Sequence, residues 1–340
     1  MMLITLFLSL FLIFGATSSS SIEDVFTIAK EGPGACADYE AVIIRRYYPD
    51  LIRMLSAGIE LFDDSLKRET MAGNKDVFLR QIGARLMLGS WFGIKFEDPF
   101  PYDGKGVLNE PTDWLSYRFI KGGYLLKISR ELRGTLSDIL EKSLAFIAEN
   151  QPPAHLNGRR PVIHCNDRWL KPQIEGHYFS DTNPCGNPLM LAFSCYNLAK
   201  ITICPRGFEE TPFSILRYWS IPGPGDDLNE LDQNVVGSMH FLHEVLHLVL
   251  GPQGLKRYQT ELYSMEDCRA AAIINDPALC ETKKNPQSYV WMMVGAYFSQ
   301  RSREMQRGYF EWSRGSPWYT SMSLRATSAI GLDEDEKESL

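Results

Sequence analysis

The stretch Asn234–Leu250 constrains this chain more than any other part of it. It carries His243, Glu244 and His247 in the pattern His-Glu-x-x-His, with His240 one turn earlier, and Gly251-Pro252 end it. Val235, Val236, Met239, Leu242, Val245, Leu246, Leu248 and Val249 make it apolar almost all round, the mark of a buried helix rather than an amphipathic one. Positions i and i+4 share a helix face. Two imidazoles so placed can bind one Zn2+ in adjacent corners of a tetrahedron. Glu244 flanks that face, where it can take a proton from water and give it to a leaving amine. Polar groups in a buried helix need partners, because leaving them unpaired costs free energy, and a metal ion is one such partner. With six histidines in 340 residues, about 0.007 chance copies of the pattern are expected. The bland reading of the same residues is a core helix whose histidines bond to backbone carbonyls.

Leu3–Phe14 is an apolar run followed by Gly15-Ala16-Thr17 and four serines. It is shorter than the roughly 20 residues that span a bilayer. Residues 1–20 therefore read as a signal peptide, cleaved between Ala16 and Ser21, and the chain as secreted. No later stretch is long and apolar enough for a membrane helix, and no stable membrane association is expected. A net charge of −7 argues against nucleic acid as a partner. All seven cysteines follow the signal. In an oxidising compartment most should pair, with at least one free or bridged to another chain, and Cys268–Cys280 is the expected local bridge.

Residues 21–150 read as a helical N-terminal part, some of it a candidate prosegment. Leu51, Leu55, Ile59 and Phe62 recur at helical spacing, as do Phe78, Ile82 and Leu86. Leu136–Ala148 is a further amphipathic helix. The pattern then changes. Arg160–Cys165 and Leu198–Cys204 look like strands, and a helix from Gln287 to Arg301 opens after Asn285-Pro286. Residues 326–340 form an acidic tail expected to be disordered. One α+β domain accounts for this order of parts, helix-rich with a small sheet and the buried histidine helix.

Helices, a few strands, a His-Glu-x-x-His helix and a smaller C-terminal part resemble the zincin metalloproteases, so a zincin-like fold is expected, with residues 151–325 as its catalytic region. The metzincin pattern is excluded, since Leu250 and Gln253 stand where it needs Gly and His. Glu261, Glu266 and Glu281 lack the Asn-x-x-x-Glu setting of thermolysin-like enzymes. The chain most resembles the deuterolysin and lysine-specific metallo-endopeptidase group, the aspzincins, of fungal secreted type. Thr260-Glu261-Leu262-Tyr263-Ser264 and Asn285-Pro286-Gln287-Ser288-Tyr289 carry that resemblance, which covers roughly residues 160 to 300.

The resemblance implies a secreted zinc endopeptidase acting on a protein or peptide, with Glu244 as general base and Tyr263 supporting the transition state. A preference for Lys beside the scissile bond comes with the resemblance alone. The group's third ligand is an Asp, and here Thr260 stands in that place if Tyr263 takes the tyrosine position. Three readings follow: Glu261 binds after a local shift, Asp267 or Glu266 swings in, or the ligand is lost. Glu261 is the first choice, so His243, His247 and Glu261 form the expected metal set. The reading from another class is a catalytically inactive zincin-like secreted protein that binds a partner or zinc. His164 and His177 read as structural, and His240 as a core or rim residue.

Overall fold

The computed structural model describes residues 21–67, 74–94, 124–170, 183–209, 236–254, 261–274 and 282–304, with strand pairs at 310–311 and 318–319. The expected signal peptide, His177, Thr260, Cys280, Glu281 and the acidic tail lie outside them.

Among the described residues six longer helices carry the fold: α1 (Tyr48–Leu66), α2 (Lys75–Phe92), α3 (Tyr124–Glu149), α4 (Gly237–Leu250), α5 (Met265–Ile274) and α6 (Pro286–Glu304). The apolar stripes are what bring them together. Leu51, Leu55 and Phe62 of α1 face Leu140 of α3 and Met292 and Met293 of α6 in one continuous core. Phe241, Leu242, Val245 and Leu246 of α4 enter the same core. Each such side chain contributes about 1.5–3 kcal/mol when fully buried. Among the described residues no helix is long and apolar enough to cross a membrane.

A small mixed sheet closes the core on one side. Its strands are β1 (Thr27–Ile28), β2 (Val162–His164), β3 (Ala192–Cys195) and β4 (Lys200–Ile203), in the order β1-β2-β4-β3. β1, β2 and β4 run parallel, and β3 is antiparallel to β4. Side chains alternate across a strand, and the register uses this. Ile163, Ile201 and Ser194 fall in line on one face, where the two isoleucines join the helical core. His164, Thr202 and Phe193 line the other, around Trp169, which stacks on His164 at 4.9 Å. A two-stranded pair, β5 (Phe310–Glu311) and β6 (Trp318–Tyr319), follows α6.

The two strands expected from sequence are present as β2 and β4. The Pro286 start of α6 matches as well. β1 and β3 had no counterpart in the sequence reading. Residues 21–66 belong to the same core as the rest: β1 pairs with β2, Phe26 meets Phe241 at 5.6 Å, and Cys36 is bonded to Cys165. A second disulfide, Cys185–Cys204, ties the approach to β3 to the end of β4. The pairing expected for Cys268 falls outside the described residues, as Cys280 does. The result is a helix-rich α+β fold with a small four-stranded mixed sheet.

Candidate metal centre

Helix α4 is buried along twelve of its fourteen residues, so its position is set by what it touches at each end. At the start, a Cβ on Gly237 would lie 2.0 Å from the Tyr47 hydroxyl, and only glycine lets the two elements approach. Ser238 Oγ donates to the buried Asp50 at 3.0 Å. At the other end, His155 Nε2 donates to the Leu248 carbonyl at 2.7 Å, satisfying one of the acceptors every helix C-terminus leaves open. Gly251 follows at φ 48°, with the His155 ring where a Cβ would be. The helix is thus held lengthwise, and His243 and His247 project from one face of it.

Glu261 meets that face. Its Oε1 lies 3.0 Å from His243 Nε2 and 3.1 Å from His247 Nε2, and the two ring nitrogens are 3.2 Å apart. The edge of a tetrahedron around zinc, with bonds of about 2.0–2.1 Å, is about 3.3–3.4 Å. The three donor atoms therefore form a triangle close in size to one face of such a tetrahedron. Among the described residues this is the one group of three that could hold a metal ion.

The protonation pattern fits a cation. His243 Nδ1 is 2.8 Å from Gln287 Oε1, an acceptor, so Nδ1 carries the hydrogen and Nε2 presents its lone pair. That lone pair faces another ring nitrogen and a carboxylate oxygen. Glu261 Oε1 is buried and makes no aligned hydrogen bond. Three electron-rich atoms converging in a half-buried place repel unless a proton or a metal sits among them. Without metal, a proton does so. Burial pulls His243 down, but the Glu261 carboxylate, helped by Glu244 and Gln287, outweighs burial and raises it to about 9. Burial likewise pushes Glu261 up, and the two imidazoles hold it well below the usual carboxylate range.

Two more side chains complete the centre. The Tyr263 hydroxyl donates to the other oxygen of Glu261, Oε2, at 2.7 Å, and its ring stacks on His243 at 5.6 Å. Tyr263 as a whole is 61% exposed, so it lies at the solvent edge of the site. Glu244 is buried on the β3 side of α4. Burial raises its carboxyl, while the imidazoles and a hydrogen bond from Ser194 of β3 pull it down by less.

Of the alternatives for the third ligand, Asp267 is occupied elsewhere. It and Ser264 bond to each other at the N-terminus of α5. Glu266 is exposed and does not belong to the group. Nor does His240. His164 lies on the far face of the sheet, against Trp169. Ser194 and Gln287 were not singled out from the sequence. Ser194 sits in a strand too weakly marked to read, whereas Gln287 lies within the Asn285–Tyr289 segment that carries the resemblance. No known protein-family model matches the chain, and no curated protein matches it significantly.

Proposed function

We propose that this protein is a secreted zinc-dependent endopeptidase with a zincin-like fold, its site arranged as in the aspzincins but with Glu261 in place of their aspartate. One observation carries the reading: Glu261 Oε1 closes a triangle with the Nε2 atoms of His243 and His247, with the buried Glu244 beside it. Two histidines and one carboxylate with an open fourth position are a ligand set of catalytic rather than structural zinc sites. The two disulfides agree with secretion.

When bound, zinc supplies Lewis acidity, polarising a carbonyl and lowering the pKa of water. The chain supplies the rest. Glu244, its carboxyl raised by burial, takes the proton of the attacking water and passes it to the departing amine. Ser194 orients that carboxylate. Tyr263 holds Glu261 Oε2, which aims Oε1 at the histidines. Among the described residues β3 has a strand neighbour on one side only, which offers a peptide substrate an edge to pair with.

Metal content and proteolysis, measured on the wild type and on Glu244→Gln, test the reading. One zinc per chain in both, with casein cleaved by the wild type alone, supports it. Zinc without cleavage in either makes the protein a non-catalytic metal-binding relative. Absence of bound metal in chelator-free preparations reduces α4 to a core helix.

A further inference from the structure

The start of α6 touches the candidate metal centre at three points. Gln287 Oε1 accepts the His243 Nδ1 hydrogen at 2.8 Å. Asn285, fully buried, grips the residue after Glu261 by both backbone groups: Oδ1 accepts from Leu262 N–H at 3.2 Å and Nδ2 donates to the Leu262 carbonyl at 3.1 Å. Trp291 Nε1 donates to the Tyr263 carbonyl at 3.3 Å. The segment 261–263 belongs to no helix or strand, so these bonds take the place of a regular ladder in holding it. One short stretch of chain thus sets the ring of one candidate ligand and the backbone of another.

We propose that Gln287 and Asn285 are positioning residues of this centre, Gln287 fixing the tautomer of His243 and Asn285 fixing the approach of Glu261. The inference rests on the metal-binding part of the reading above and not on hydrolysis. An amide has two faces. With Oε1 towards the ring, Nδ1 must carry the hydrogen and Nε2 is free to bind a cation; with its NH2 towards the ring, the reverse holds. A carboxylate has only the accepting face and enforces the binding tautomer. Partners of this kind typically change metal affinity by about 10–100-fold. Asn285 works through place rather than charge. Asn285→Asp keeps the acceptor for Leu262 N–H but sets an oxygen against the Leu262 carbonyl, so the segment and Glu261 must shift.

The test is zinc affinity by competition with a chromophoric chelator, with far-UV circular dichroism to confirm folding. Gln287→Leu should bind zinc about 10–100-fold more weakly than wild type. Gln287→Glu should bind as tightly as wild type or more so, and Asn285→Asp should lose a factor comparable to Gln287→Leu. Wild-type affinity in Gln287→Leu, or equal loss in the Leu and Glu variants, overturns the role of Gln287. Wild-type affinity in Asn285→Asp overturns that of Asn285. A direct readout on the unmutated, zinc-loaded protein keeps the first claim testable even if a variant misfolds. The 15N shifts of the His243 ring should show hydrogen on Nδ1 and metal on Nε2, and the opposite assignment refutes it. A wild type that binds no zinc fails the metal reading itself, an outcome distinct from all of these.

Discussion

His243 Nε2 and Glu261 Oε1 lie 3.0 Å apart, joining the middle of α4 to the irregular segment before α5. The contact has consequences with and without metal. Glu261→Gln keeps the shape and removes the charge. Zinc affinity should fall by more than the roughly 10–100-fold that loss of an outer partner costs, because the change removes a candidate ligand itself. In the metal-free protein the Glu261 carboxylate is the largest of the influences that raise His243 above its ordinary value against burial, ahead of Glu244 and Gln287. The same variant should therefore lower the His243 titration midpoint from about 9, read by NMR. An unmoved midpoint would show that the carboxylate does not govern this imidazole.

Ser194 and Glu244 give a prediction on rate. The serine hydrogen bond favours the charged carboxylate, opposing burial. Ser194→Ala removes it, so the Glu244 carboxyl rises further. If Glu244 is the base, the acid limb of the kcat/KM profile should move to higher pH. Activity near neutrality should fall several-fold, well short of the roughly 10²–10⁴ that a general base contributes. A uniform loss with no displaced limb would assign Ser194 to packing alone.

The histidine helix was legible because it combines two independent signals, a histidine pair at i, i+4 and apolar residues on every side. Helices α1, α2 and α3 were legible for the simpler reason that their stripes are long. Strand β1 has two residues and cannot display an alternation. β3 places Ser194 against α4, and a polar residue there blurs the pattern. The identity of the third candidate ligand could not be settled from the local sequence, where Glu261, Glu266 and Asp267 stand close together. Asn285, far along the chain, helps decide which of them reaches the histidines, by gripping Leu262. The Cys36–Cys165 bridge spans a separation of 129 residues, and no local spacing announces it.

Gly251 and His155 make a coupled pair at the end of α4. Gly251→Ala brings a Cβ to 2.3 Å from His155 Nε2 and puts a side chain at φ 48°. It should destabilise the protein by about 2 kcal/mol or more. His155→Ala alone removes the hydrogen bond to Leu248, at about 1 kcal/mol. The double variant should cost less than the sum, since removing the ring removes the clash. Denaturant midpoints of the four proteins measure the cycle. Strict additivity would mean that the ring and the glycine do not meet.

His164 yields the dependence of stability on pH. It is buried on the outer face of the sheet against Trp169, with Lys200 lying over the same indole at 4.0 Å. Burial, and secondarily the Lys200 charge, push its imidazole down from 6.5 to about 4. Between those values the unfolded chain binds the proton and the folded chain does not, so stability rises with pH across the window. It is complete above about 6.5 and declines as the pH falls towards about 4. The loss reaches at most about 3 kcal/mol from this residue. His164→Phe keeps a flat ring against Trp169 and has no proton to take up. Thermal unfolding of the two proteins from pH 7 to pH 4 should show the wild type losing stability more steeply, while parallel curves would mean that His164 does not contribute the slope.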